Sequence, residues 1–170
     1  MKITVLNGSP RPNGNTAAMV DSFKKGAESK GHMVNVINIG TIKINGCIAC
    51  EYCHNNGNGK CIQQDEMQSI YPYINDSDML VIASPVYYWS FSGQTQSVIT
   101  RFYCLGRPNP SKYAMLLSSG SPGVYDAPIS QYKDVLSYFG AQNMGIITAY
   151  GSQNKSEAKL KECFDLGASL

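Results

Sequence analysis

The chain has no run approaching the roughly 18 apolar residues that a spanning helix needs; Met79 to Ala83 and Met115 to Leu117 are short and soon interrupted, so no membrane span is expected. It also has little excess charge. Fourteen Lys and Arg stand against twelve Asp and Glu, spread without a block, and a net charge of +2 gives no basic footprint for nucleic acid or a membrane surface. The opening Met1-Lys2-Ile3-Thr4-Val5-Leu6 lacks the apolar region and cleavage site of a secretory signal before Asn7-Gly8-Ser9-Pro10, which points to a cytoplasmic location. Thiols stay reduced there, so the six Cys are expected as ligands, redox groups or buried side chains rather than bridges. A chain of 170 residues should bury about 70% of the surface it would expose unfolded, and it needs neither disulfides nor metal to fold.

What is present is an alternation of strand and helix signals. Ile3, Val5 and Leu6 read as a buried first strand, and Thr16, Val20, Phe23 and Ala27 as the apolar stripe of a helix that starts at Asn15. His32 to Ile39 alternates as a second strand. Asp65-Glu66 opens a second helix, where acidic residues suit the positive end of the helix dipole, with Ile70, Tyr73 and Ile74 as its stripe. Met79 to Ala83, Tyr113 to Leu117 and Gly145 to Tyr150 are the third, fourth and fifth strands. Helices follow each of them: one through Val98, Ile99, Phe102 and Leu105, one around Tyr132, Val135, Leu136 and Phe139, and one from Ser156 to Leu166. Strands apolar on both sides, alternating with helices and undivided by any linker, spell a single α/β domain over residues 1–170 with a parallel sheet. Ligands of such sheets sit beyond the carboxyl ends of the strands.

Three loops at those ends carry chemistry. Gly8-Ser-Pro-Arg-Pro-Asn-Gly-Asn-Thr16 joins the first strand to the first helix with small residues and hydroxyls, so backbone N–H groups can converge on an anion at a helix N-terminus. Asn15 rather than Lys follows Gly14, which excludes a triphosphate P-loop, and the G-x-G-x-x-G of dinucleotide binding is missing. A monophosphate, with Arg11 as the only cation, fits; helix capping by Asn15 and Thr16 is the plainer alternative. Ser84-Pro-Val-Tyr-Tyr-Trp-Ser-Phe-Ser-Gly93 offers an aromatic surface for a planar heterocycle, against the alternative that Trp89 and Phe91 pack in the core or at an interface. Ser118 to Gly123 is small and rich in backbone donors.

Residues 46–62 form a polar, Gly-rich and Asn-rich insertion holding Cys47, Cys50, Cys53 and Cys61 as C-x2-C-x2-C-x7-C. Four thiolates on such a loop suit a four-iron cluster. Zinc, with His54 in reach, would rather have two separated pairs, and haem attachment at Cys50-Glu-Tyr-Cys53-His54 belongs with export. A reactive dithiol or a contact loop without a cofactor are further readings. Cys104 and Cys163 fall in helical patterns and read as buried small hydrophobes. His32 reads as a surface residue.

Ser9 to Thr16 after the first strand, Ser84 to Trp89 after the third and the compact Cys cluster after the second together resemble the flavodoxin-fold NAD(P)H-dependent FMN reductases, in particular their iron-sulfur flavoprotein branch. The resemblance implies a flavodoxin-like three-layer sandwich with a five-stranded parallel sheet in the order 2-1-3-4-5. It implies FMN, with Ser9, Arg11, Asn15 and Thr16 around the phosphate and Pro85, Val86, Tyr87, Tyr88, Trp89, Ser119 and Gly120 around the ring. Ser92 or Gly93 would let the next helix approach the flavin, and Tyr125 would cover the ring or face solvent. NAD(P)H is then the hydride donor and an unidentified small molecule or protein the electron acceptor, with a four-iron four-sulfur cluster on Cys47, Cys50, Cys53 and Cys61 among the readings of that loop. No catalytic side chain is called for, because the flavin carries the chemistry. A homodimer or homotetramer is expected. The alternative is a non-enzymatic flavodoxin-type electron carrier, against which the weak net charge argues, since transient docking relies on a strong field of one sign.

Overall fold

Strands that are apolar on both faces must be covered on both, and this chain covers them with helices. The computed structural model describes residues 1–170. In chain order the elements are β1 (Lys2–Asn7), α1 (Asn15–Glu28), β2 (Met33–Ile37), α2 (Met67–Asn75), β3 (Met79–Tyr87), β4 (Ser90–Phe91), α3 (Gly93–Arg101), β5 (Lys112–Ser119), α4 (Asp126–Phe139), β6 (Gln142–Tyr150) and α5 (Glu157–Ala168). Single 3-10 turns lie at Ile39–Thr41, Phe102–Leu105 and Gly151–Lys155. No helix is long and apolar enough to cross a membrane.

The five long strands are parallel, in the order β2-β1-β3-β5-β6, which is the doubly wound, flavodoxin-like arrangement expected. A sixth strand is the correction. The segment Ser84 to Gly93, expected as a loop, is not one: β3 runs on through Ser84, Pro85, Val86 and Tyr87, turns, and returns as β4 antiparallel to its own end. Burial of Val86 opposite Phe91 holds this hairpin.

Alternation along the strands divides the core into two layers. Leu80 and Ile82 of β3 face one side with Tyr113, Met115, Ile70, Ile74, Tyr132 and Phe139, while Met79, Val81 and Ala83 face the other with Ile3, Val5, Met19, Phe23 and Cys163. In the second layer α1 and α5 cross at glycines. A methyl on Gly26 would sit 2.8 Å from the carbonyl carbon of Phe164, and one on Gly167 2.8 Å from the backbone nitrogen of Ala27. Only residues without a side chain permit that approach.

Two smaller corrections concern α2 and α3. Asp65 and Glu66 precede α2 rather than occupying its first turn. Asp65 has been drawn into a buried ion pair with Arg101 and serves the Met67 N–H from outside the helix. The stretch after β4 is α-helical only to Arg101 and tightens into a 3-10 turn that carries Phe102 and Leu105.

Candidate flavin groove and cysteine pocket

The order of strands reverses beside β1 and β3, and the loops after β1, β3, β5 and β6 meet there. Ser9, Arg11, Asn15, Thr16, Pro85, Val86, Tyr87, Ser119 and Gly120 line one cavity of about 270 Å³, together with Ser118, Gly151 and Asn154. Tyr88 and Trp89 line an adjoining cavity of about 350 Å³ that shares Val86, Ser119 and Gly120 and is walled by Ser121 to Val124. The residues expected around phosphate and ring are therefore brought into one continuous groove.

At its Arg11 end, Gly14 precedes α1 and no side chain caps the helix, so the first-turn N–H groups remain free for an anion. Thr16 does not cap; its hydroxyl is buried and bonded to Ser118 Oγ at 2.7 Å, tying the first loop to β5. The loop is held from beneath, with the Asn7 side chain accepting from the Ser9 N–H at 3.2 Å. The 3-10 turn after β2 packs so tightly on it that a methyl on Gly40 would lie 2.7 Å from the Pro10 nitrogen. Arg11 is exposed at the rim, and it is the only charged residue lining either cavity.

The other end is an exposed aromatic shelf. Tyr88 and Trp89 are 93% and 56% exposed, edge to face at 5.3 Å between centroids, while Phe91 is buried in the core. Both residues of this two-residue connection have positive φ, 50° for Tyr88 and 61° for Trp89, the geometry of hairpin turns that normally take Asn-Gly. Such a conformation costs on the order of 1 kcal/mol or more for each non-glycine residue and persists where surrounding structure fixes it. Here Ser92 fixes it: its N–H donates to Ser84 Oγ at 3.0 Å, and its hydroxyl donates to Gly8 O at 2.9 Å and caps α3 by accepting from the Thr95 N–H.

Ser92 is thus a brace beneath the shelf. A methyl on Gly93 would meet no other atom of the protein. Tyr125 neither covers the groove nor faces solvent. It is buried, its hydroxyl shared with Ser119 Oγ at 2.6 Å and donated to Ala149 O at 2.8 Å. Ser118 joins the groove from within the third loop, and Gly151 and Asn154 join it from the turn after β6, which nothing in the sequence marks. Asn154 is buried, with its Nδ2 donating to Ser119 O and Gly151 O, while its Oδ1 has no partner. A buried acceptor left open at a groove wall is suited to a ligand hydroxyl or ring N–H.

Cys47, Cys50, Cys53 and Cys61 converge on a second, narrow pocket of about 10 Å³, with Cys104 and Arg101 also in its wall. Cys47 and Cys50 are exposed and Cys53 is buried; all are free thiols. Ala49 and Glu51, on either side of Cys50, both have positive φ, and the Ala49 N–H points at Cys47 Sγ at 3.4 Å. No group of three His, Cys, Asp or Glu is close enough for a single metal ion. Cys104 is buried as expected, yet it is a fifth thiol of this pocket; burial raises its pKa. Cys163 is buried far from it among α1 and α5 residues, and its pKa is pushed up to about 12 by desolvation. His32, expected at the surface, is half-buried and bonded to both chain ends, through Nδ1 to the Met1 amino group and through Nε2 to Leu170 O.

Arg101 is 1% exposed. Its Nη1 donates to Asp65 Oδ2 at 2.7 Å and Asn45 O at 3.1 Å, and its Nε to the Tyr71 hydroxyl at 3.2 Å. Burial alone would raise the Asp65 pKa, but hydrogen bonds from Arg101 and from the Asn45 and Met67 N–H groups outweigh it and hold the carboxyl below its ordinary value.

The sequence profile of a family described as NADPH-dependent FMN reductase matches residues 1–155. The chain is 31% identical over 181 aligned residues to an iron-sulfur flavoprotein of Archaeoglobus fulgidus, covering all of this chain and 79% of that one. A 31% identity to an iron-sulfur flavoprotein of Methanocaldococcus jannaschii extends over 59% of this chain and about half, 51%, of the relative's length. Among solved structures, the NAD(P)H:quinone oxidoreductase from Methanothermobacter marburgensis superposes with a TM-score of 0.78 over 99% of this chain and 96% of that one, at 16% identity, a likeness of fold.

Proposed function

The chain belongs to the NADPH-dependent FMN reductase family of oxidoreductases, and from that premise we propose that it binds FMN in the groove, takes a hydride from NADH or NADPH and passes electrons to an acceptor. The observation that carries this is the continuity of the groove, in which an uncapped helix N-terminus with Arg11 adjoins an exposed aromatic shelf. The residues fit the cofactor. Free N–H groups of α1, the Ser9 hydroxyl and Arg11 suit a phosphate, the open Oδ1 of Asn154 suits a donor, and the shelf suits a flat ring.

Bound FMN would supply two-electron acceptance from a nicotinamide and onward delivery. The protein's part is to hold and orient. Asn7, Thr16 and Ser118 fix the phosphate loop against the sheet, and Ser84, Ser92 and Thr95 set the height of the shelf. No Asp, Glu, His or Lys lines the groove; its ionisable side chains are Arg11, Tyr87 and Tyr88. The exposed faces of Tyr88 and Trp89 leave room for a donor and then an acceptor to stack, which favours a planar acceptor such as a quinone or nitroaromatic.

For the cysteine pocket, our reading is a four-iron four-sulfur cluster held by Cys47, Cys50, Cys53 and Cys61, which would supply one-electron acceptance. The donor set fits, since four thiols face one pocket beside a buried cation, and a cluster spreads its thiolates over separate irons instead of crowding them on one ion. A void of about 10 Å³ requires the loop to move outward to hold it; the loop has no regular strand or helix and exposes Cys47 and Cys50. We place the protein in the cytoplasm, where these free thiols stay reduced, and expect a homodimer or homotetramer.

The test is spectral. Protein purified without oxygen should show flavin bands that NADH or NADPH alone bleaches within a catalytic turnover. A flavin that only a separate reductase can reduce would make the chain a carrier, and failure to bind FMN would overturn the assignment. Absorption beneath the flavin bands that dithionite bleaches, with iron and sulfide on analysis, supports the cluster; its absence leaves the dithiol.

A further inference from the structure

Arg101 is a full positive charge in a place where charge is costly, and Asp65 neutralises only one side of it. The rest of the guanidinium is committed except at one corner: Nη2 is buried and has no hydrogen-bond partner. Native proteins rarely leave such a donor open. Arg101 forms part of the wall of the cysteine pocket, which Cys47, Cys50, Cys53, Cys61 and Cys104 also line. Asp65 and Tyr71 grip the other nitrogens, so the fork cannot turn away from that wall.

We propose that Arg101 is the cationic wall of the cysteine site and that its Nη2 donates a hydrogen bond to a thiolate or sulfide of the iron-sulfur group held by the four cysteines. The inference rests on reading that site as an iron-sulfur site, and it assigns the group's charge partner. A cluster with four thiolates is anionic, and its negative charge grows by one when it takes up an electron. A buried cation and an N–H donor on sulfur stabilise the more negative, reduced form and so raise the reduction potential. Gln63, Tyr103, Glu51 and the Ala49 N–H are the other polar groups of the wall and loop; Glu51 is the one other charge, but it is exposed to water and bonded to the Tyr103 hydroxyl at 2.8 Å, so its opposing field is screened where that of buried Arg101 is not.

The experiment compares wild type, Asp65→Asn and the double variant Arg101→Gln/Asp65→Asn, each as full-length protein with its cofactors. The double variant removes both buried charges together and so leaves neither one stranded. Iron and sulfide per chain are measured first, then the cluster potential by mediated titration with dithionite, one electron entering from the reductant at each step. Asp65→Asn keeps Arg101 and should hold or raise the potential. The double variant should lower it by at least the roughly 59 mV that corresponds to tenfold in a one-electron equilibrium. Equal potentials in wild type and double variant would overturn the proposal while leaving the cluster in place. Wild type without iron and sulfide would instead remove the reading of the cysteines, and the proposal with it. If the double variant does not fold, Arg101→Lys decides: it keeps a charge for Asp65 but lacks the fork, so a lowered potential supports the proposal and an unchanged one refutes it.

Discussion

Gly8 is the joint between the phosphate loop and the aromatic shelf, and its replacement by alanine gives a measurable coupling. Its φ is not in the left-handed region, and its N–H continues the sheet by donating to Ala83 O at 2.8 Å, so the backbone itself would accept a side chain. Space does not. A methyl there lies 2.9 Å from Ser92 Oγ and 3.2 Å from Thr95 Cβ, and closer still to Thr95 Oγ1. That hydroxyl is buried and bonded to Ser92 Oγ at 2.9 Å and Ser84 Oγ at 3.2 Å. Driving it out forfeits two hydrogen bonds at about 1 kcal/mol each, on top of about 2 kcal/mol of overpacking. Gly8→Ala should therefore cost about 4 kcal/mol, lowering Tm by about 8–16 °C for a chain of this size. Thr95→Ala alone loses the same two bonds, about 2 kcal/mol. In the double variant the colliding oxygen is gone, and the total should stay near 3 kcal/mol instead of the additive value of about 6, a coupling of about 3 kcal/mol. Urea unfolding of the four proteins measures it. Costs that add to within about 0.5 kcal/mol would show that the collision is not what makes glycine necessary at position 8.

Other expectations follow from single features. Arg11→Ala should weaken FMN binding by about 10- to 150-fold, the worth of a charge-assisted hydrogen bond, yet leave riboflavin binding and urea unfolding unchanged; fluorescence titration separates the two ligands. Because the Asp65 pKa is depressed in the fold, the stability it contributes is present above the ordinary carboxylate range and is lost as pH falls below about 4; Asp65→Asn should flatten that acid limb of an unfolding-versus-pH series while costing about 3 kcal/mol at neutral pH. Gly26→Ala and Gly167→Ala gain about 1 kcal/mol of helix propensity but force the backbones of α1 and α5 apart, for a net loss of about 2 kcal/mol, whereas Gly93→Ala, which meets nothing, should be neutral or stabilising by calorimetry. Replacing Tyr88-Trp89 by Asn-Gly should relieve the turn and raise stability by about 1 kcal/mol, while turnover with an aromatic acceptor falls because the shelf is gone.

The layers of this protein were legible because they depend on pattern. Branched apolar strands, helical stripes and small-residue loops at strand ends place Ser9, Thr16, Pro85 and Ser119 on one edge without any coordinates, since a parallel sheet with helical crossovers brings its carboxyl ends together. What the sequence did not yield depends on distance instead of pattern. Asp65 looked like a dipole-compensating residue of α2 because nothing local shows that Arg101, 36 positions on, would take it. Asn154 lies in a 3-10 turn whose composition resembles any polar connection, and only its buried, open Oδ1 marks it. Cys104 read as helix packing because its neighbours along the chain say nothing of the loop folded over it.

The hairpin at Tyr88-Trp89 is the sharpest case, because local preference and structure disagree outright. Two aromatic residues are poor choices for positive φ, so the local signal is against a tight turn, and a loop was the reasonable reading. The turn forms because its two ends are fixed independently of it: Val86 and Phe91 are buried opposite each other, and Ser92 is anchored to Ser84 and Gly8. The same Ser92 begins α3, and Arg101 ends it, so a helix of nine residues, about 14 Å at 1.5 Å per residue, joins the brace of the aromatic shelf to the wall of the cysteine pocket. A change at Gly8 or Thr95 presses on one end of that rigid element, while Asp65 and Tyr71 hold the other. The turn at Tyr88-Trp89 is held through Ser92 at the loaded end of α3, so that is where displacement of α3 should first appear.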